Sequence, residues 1–348
     1  MIKRAGALGI AVLSMTALVF VAPLSASASA APSVRVSSIV PATLSASMPI
    51  LRLHFNTTIR ASQLPRLSIR PALSTKWQQI GAREVQAVAT SKLQPLVDYT
   101  LLTPATMRCA KYCTFTSLRT LHTNVTTNVT WKEQLLAEAG YLPVSFTPAL
   151  TTSDASAQSA GTFTWLYSNL PVSLSNQWRV GADNVLVTGA LMTFQSEHNL
   201  PATGVADPMT WSALIAAVDV AAVNPRPYNY VTVSQGSPET LTLYTGGRAS
   251  FHTLVNTGIS VSPTALGTYP VYLRYTSQTM SGTNPDGSHY SDPGIPWVSY
   301  FNGGDALHGF IRATYGWPQS LGCVEKPFAS AKTVWPHTPI GTLVTVTG

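Results

Sequence analysis

The sequence predicts a multidomain, mainly β chain with a short helical module in its middle, on three observations. Only 10% of its 348 residues are charged while 45% are hydrophobic, against a usual charged fraction of about 25%. Thr, Ser, Ala and Pro fill the difference, and aromatic and branched residues stay plentiful, which argues for packed β-rich domains over disorder. Hydrophobic residues alternate in the first and last thirds but follow a helical period between them. Gly and Pro punctuate both β regions as turn residues do.

Residues 1–31 read as a signal peptide. Lys3 and Arg4 form a basic start, Ala5 to Val21 is apolar, and Ala26-Ser27-Ala28 and Ala28-Ser29-Ala30 offer small-residue cleavage sites. An uncleaved membrane anchor is the competing reading, because the apolar run approaches the length of a span. No Cys lies near the cleavage site and no second long apolar run follows. The expectation is a secreted protein, soluble outside the cytoplasm, with no membrane anchor after processing and monomeric. The net charge of +7 is spread without runs, which argues against nucleic acid and suits an anionic wall.

Residues 33–125 read as an Ig-like β-sandwich. Leu51, Leu53 and Phe55 alternate with Arg52 and His54, the pattern of a half-buried strand. Shorter strands are expected at Arg35–Val40, Leu67–Arg70 and Leu96–Leu102, separated by Pro-rich turns. Cys109 and Cys113 stand four apart, close enough for a disulfide across a tight loop, with two free thiols as the alternative. That pairing leaves Cys323 over. An unpaired thiol in an oxidising compartment is a liability unless its reactivity is used.

Residues 128–220 turn helical. Thr130 and Glu133 suggest a capping box before Trp131–Ala139, which Gly140 ends. Thr147–Thr162 reads as a loop. Val187, Ala190, Leu191 and Phe194 form one apolar stripe. After an Asp207 cap with Pro208 in the first turn, Trp211, Leu214, Ile215 and Val218 form another. Residues 228–348 return to β, with Leu241–Tyr244 and Ala249–Val255 flanking the hairpin glycines Gly246 and Gly247. The segment Gln278–Gly294, rich in Gly, Pro, Asn and Asp, is a candidate substrate loop.

The residues that carry chemistry lie late in the chain. His308-Gly309 precedes Ser320-Leu321-Gly322-Cys323-Val324-Glu325, with fifteen residues from His308 to Cys323. A base within reach makes a thiol a competent nucleophile. Gly322 lets backbone N–H groups approach a developing oxyanion. His198, His252, His289 and His337 show no metal-ligand spacing, and no nucleotide fingerprint is present, so neither metal nor cofactor is expected.

His-Gly followed by Ser-x-Gly-Cys-Val resembles the active-site signature of the L,D-transpeptidase (YkuD-like) catalytic domain. Ser262-Pro263-Thr264-Ala265-Leu266-Gly267-Thr268-Tyr269 is similar to a strand entry of that family. Pro296-Trp297, Tyr300-Phe301 and Gly303 match its approach to the histidine. The stretches Gly189–Gln195 and Thr203–Trp211, with Ala139-Gly140-Tyr141-Leu142-Pro143, resemble a peptidoglycan-binding helical module, so the three helices are expected to bind wall polymer.

The resemblance implies Cys323 as nucleophile and His308 as base, oriented by the carbonyl of Gly309. It also implies oxyanion N–H groups from Gly322 and Cys323, and Tyr290 and Ser320 at the substrate. The implied partner is peptidoglycan and the implied reaction is acyl transfer from a stem peptide through a Cys323 thioester. An L,D-carboxypeptidase using the same site, or a non-catalytic wall-binding protein, is the alternative. Two positions depart from the family: Leu321 stands where a second His is usual, and Glu325 where Arg or Asn is usual. A carboxylate pointing inward at Glu325 would oppose a thiolate.

Overall fold

The computed structural model describes residues 128–149 and 158–348 throughout. In the N-terminal part it describes residues 17–18, 34–38, 49–55, 57–64, 66–70, 72–91, 93, 99–102, 107–109 and 113–115. The chain divides into two compact units, Met1–Thr126 and Thr127–Gly348. Apart from the short strand Ala17–Leu18, the signal-peptide reading falls outside the described residues, as does the Cys109–Cys113 disulfide, whose side chains are not described. Among the described residues no helix is long and apolar enough to cross a membrane.

In the first unit, Val34–Ser38, Pro49–Phe55, Glu84–Ala89 and Thr75–Gly81 pair in that order as an antiparallel sheet. Leu51, Leu53 and Phe55 are buried while Arg52 and His54 are exposed, so the period-two pattern marks a real face. The expected strands near residues 35, 67 and 100 are Val34–Ser38, Ser68–Arg70 and Thr100–Leu102, the last two paired with each other.

In the second unit the three longest helices are Val129–Glu138, Val185–Glu197 and Pro208–Asp219. Asp207 caps the last, accepting from Thr210 N–H with Pro208 in the first turn. The first is capped by Asn128, not by a Thr130–Glu133 box: Asn128 is extended and accepts from Trp131 N–H at 2.8 Å. Glu133 is turned away to accept from Gly181 N–H instead. The Thr147–Thr162 stretch is also not all loop. Val144–Pro148 and Gly161–Trp165 form a hairpin in which Phe146 opposes Phe163, their rings 5.0 Å apart. Cross-strand aromatic pairs of this kind hold a short hairpin together.

The C-terminal domain holds two sheets. The first runs Arg248–Leu254, Thr240–Thr245, Asn229–Ser234, Leu343–Thr347, Gly267–Pro270, and the second Leu273–Thr283, His289–Asn302, Asp305–Gly309, Val324–Lys326. Gly246 and Gly247 both take positive φ, as a two-residue hairpin turn requires. Val231, Val233, Leu241, Val344 and Val346 from the first sheet pack with Leu307 and Val324 from the second in one core. Gln278–Gly294, expected as a loop, is mostly strand. Leu273–Thr283 and His289–Asn302 continue their ladder to a turn at 284–288, because backbone pairing satisfies the peptide groups that a long loop would leave to water.

The helices pack directly on this domain. Gly189 approaches so closely that a Cβ there would lie 2.6 Å from Gly341 O and 2.8 Å from Leu343, and Thr193 Oγ1 donates to Ile340 O at 3.0 Å. Alanine at Gly189 would gain about 0.5–1 kcal/mol of helix propensity but overpack this contact by about 1–3 kcal/mol. Gly189→Ala is therefore expected to lower the thermal midpoint of the second unit, which calorimetry reads directly.

Candidate active site

Four strands place the site. Asp305–Gly309 and Val324–Lys326 run parallel, with Leu307 opposite Val324 and His308 opposite Glu325. Successive side chains alternate faces, so His308 and Glu325 share one face with Cys323, two residues before Glu325. Cys323 accordingly packs beside Ala306 and Phe310 in a small cluster with Ile295 and Val298, while Leu307 and Val324 enter the main core on the other face. Cys323 and His308 both line an open cavity of about 920 Å³, walled by the long hairpin through Met280, Tyr290 and Tyr300.

His308 is buried, and its Nδ1 lies 3.0 Å from Gly309 O. That carbonyl can only accept, so Nδ1 carries the proton and Nε2 keeps a free lone pair. Burial lowers the imidazole to about 4, with Lys326 and Arg312 adding to the fall and the Gly309 bond opposing it. Burial raises the Cys323 thiol to about 12, opposed by the Ala306 backbone and reinforced by Asp305 and Glu325. The pair is thus thiol and neutral imidazole at neutral pH, and Sγ donates to Gly304 O at 3.6 Å. Lys326 is buried with no partner for Nζ among the described residues. Burial takes its ammonium down to about 7.

Gly322 has φ +114, and a Cβ there would lie 2.5 Å from Asp305 Oδ1. Its conformation and the close approach both require glycine. Its N–H, one of the two expected oxyanion donors, donates to Ser320 Oγ at 3.2 Å. Ser320 lines the cavity and is buried, and its hydroxyl donates to Cys323 O at 2.5 Å. Tyr290 lies on the cavity wall with its hydroxyl over Gly282. Burial raises its phenol, and Cys323 adds to the shift.

The carboxylate of Glu325 does not oppose the thiolate alone. Arg312 grips it through Nε and Nη2 at 2.7 and 2.8 Å, with its guanidinium 4.6 Å over the Phe310 ring. Sequence reasoning missed Arg312 and Asp305, which no motif marks, and placed Tyr300 only in the approach to His308. Among the described residues no cluster of His, Cys, Asp and Glu could hold a metal.

A thiol and a neutral imidazole on one sheet face, beside a glycine-shaped loop, form the arrangement that cysteine-dependent acyl transfer needs. Residues 228–346 match the family model of the L,D-transpeptidase catalytic domain (YkuD), and residues 180–214 that of a peptidoglycan binding domain. The C-terminal domain is therefore of the L,D-transpeptidase catalytic type, with a peptidoglycan-binding-type module before it. Among solved structures, the chain is similar to an Enterococcus faecium L,D-transpeptidase mutant at 20% identity, covering 40% of this chain and 64% of that one, with a TM-score of 0.32. It is similar to an L,D-transpeptidase from Mycobacterium smegmatis at 10% identity, covering 90% and 97%, with a TM-score of 0.33. An L,D-transpeptidase from Stackebrandtia nassauensis matches at 22% identity, covering 51% and 86%, with a TM-score of 0.28. The chain thus spans less than two thirds of the Enterococcus faecium protein. Among curated proteins nothing matches the chain.

Two outcomes follow from the charges. Glu325→Arg would set a second guanidinium against Arg312 at a position only 4% exposed, and is expected to destabilise the fold by more than about 1 kcal/mol, read by urea titration. An unfolded imidazole titrates near about 6.5, whereas His308 resists protonation until about 4. Between those values only the unfolded chain takes up the proton, so stability is full above the upper value and drains as pH falls towards the lower. Urea midpoints measured across that window should fall more steeply for wild type than for His308→Gln.

Proposed function

We propose that the protein is exported to the cell wall and works there as a cysteine-dependent L,D-transpeptidase on peptidoglycan stem peptides. The observation that carries this reading is the pairing of geometry and charge at His308. Nδ1 is held by Gly309 O at 3.0 Å, which leaves Nε2 as the free base on the face that Cys323 shares. The matched catalytic domain and peptidoglycan binding domain support the substrate class.

In the proposed reaction Sγ of Cys323 attacks the stem-peptide carbonyl before the terminal D-alanine as its proton passes to Nε2 of His308. Neither residue needs a standing charge before substrate arrives, which suits a site whose burial disfavours both ions. The N–H of Cys323 stabilises the oxyanion. The imidazolium returns its proton to the departing amine, leaving a thioester that a neighbouring stem amine resolves into a cross-link. The helices at 128–220 hold the wall polymer in this reading.

Incubation of the purified protein with tetrapeptide stems or a carbapenem should give a covalent adduct on Cys323 by intact mass. Cys323→Ala should give none, and His308→Ala should slow adduct formation by about 10²–10⁴-fold. A wild type as inert as Cys323→Ala would leave only a wall-binding role.

A further inference from the structure

The loop Ser320–Cys323 leads into the strand Val324–Lys326, and Ser320 and Gly322 are buried. Ser320 O is met by Ile259 N–H at 2.9 Å, while the three carbonyls that follow need other donors. Three hydroxyls supply them. Ser262 Oγ donates to Leu321 O at 3.0 Å, Thr264 Oγ1 to Gly322 O at 2.7 Å, and Ser320 Oγ to Cys323 O at 2.5 Å. Thr264 is 2% exposed, and its oxygen also accepts from Gly258 N–H at 2.9 Å. That second bond commits its hydrogen to Gly322 O.

A trans peptide is planar, with its C=O and N–H pointing in opposite directions. Gly322 O and Cys323 N–H belong to one such plane. Thr264 holds the carbonyl end, and among the described residues the N–H end has no acceptor. The preceding plane differs, because Ser262 holds its carbonyl and Ser320 takes its N–H. We infer that Thr264 is a positioning residue of the Cys323 site. By fixing the carbonyl of Gly322 from behind, it aims the N–H of Cys323 at the side where an oxyanion forms. Ser262 locks the adjoining plane so that this aim does not drift. The inference rests on the acyl-transfer reading above and adds the residue that orients its oxyanion donor.

Two reactions of the same sulfur separate aim from general structure. Acylation by a tetrapeptide stem or a carbapenem passes through an oxyanion, whereas alkylation by iodoacetamide displaces iodide and forms none. Complete loss of an oxyanion donor costs about 10²–10³-fold. Thr264→Val leaves the donor present but unaimed, and is expected to slow acylation by about 10- to 100-fold, in kcat rather than KM. Alkylation should stay within about twofold of wild type, and Thr264→Ser, which keeps the hydroxyl, should restore acylation. If Thr264→Val does not fold, Ser262→Ala gives the same readout, with acylation slowed and alkylation unchanged. Equal loss in both reactions, or wild-type acylation in the Val variant, overturns the positioning role. A wild type that alkylates but never acylates fails the acyl-transfer reading itself.

Discussion

A cysteine carried on an irregular loop beside a protein core faces one constraint before any chemistry: few strand partners are at hand for the loop's peptide groups. The run Ser320–Cys323 meets this through side-chain hydroxyls on its carbonyls and through backbone bonds to a neighbouring segment. Gln319 and Ser320 N–H groups donate to Thr257 O, and Asn256 and Glu325 exchange both bonds. Behind Thr257 stands Glu239, buried, accepting from its N–H and hydroxyl at 2.6 and 2.7 Å. The rest of the domain builds outward from this scaffold. The Ser262–Thr264 stretch, the strand start at Asp305 and the close approach at Gly322 all meet the loop through its polar atoms or its backbone.

The same burial sets the electrostatics. A desolvated thiol and a desolvated imidazole both prefer to be neutral, so Cys323 and His308 do not rest as a thiolate–imidazolium pair. The two carboxylates beside them have partners. Glu325 has Arg312, and Asp305 accepts from Ala265 N–H and Asn302. A bidentate guanidinium–carboxylate pair is among the stronger polar contacts a protein makes. It turns a residue that would oppose a thiolate into part of the cavity wall.

The helical module is joined to the catalytic domain by close backbone approach rather than by a flexible tether. Gly189 on one side and Gly341 on the other admit no side chain at their contact. Tyr141 donates to Glu197 at 2.8 Å, and Glu197 in turn meets Arg226 of the connecting segment at 3.1 Å. The helices and the Cys323 loop thus belong to one compact unit.

Local pattern alone determined much of this. The alternation at Leu51–Phe55, the Asp207–Pro208 helix start, the glycine hairpin at Gly246–Gly247 and the His308–Cys323 spacing all depend on interactions within a few residues or on side-chain period, which sequence displays. What sequence could not decide depends on partners far along the chain. Whether Asn128 or Thr130 capped the first helix turned on Gly181 drawing Glu133 away. Which cation the Glu325 carboxylate pairs with turned on Arg312, and where the Gly322 N–H points turned on Ser320 folding back. Hydrogen bonds are short-ranged and each donor hydrogen serves chiefly one acceptor, so only the tertiary structure settles which of several nearby groups takes it.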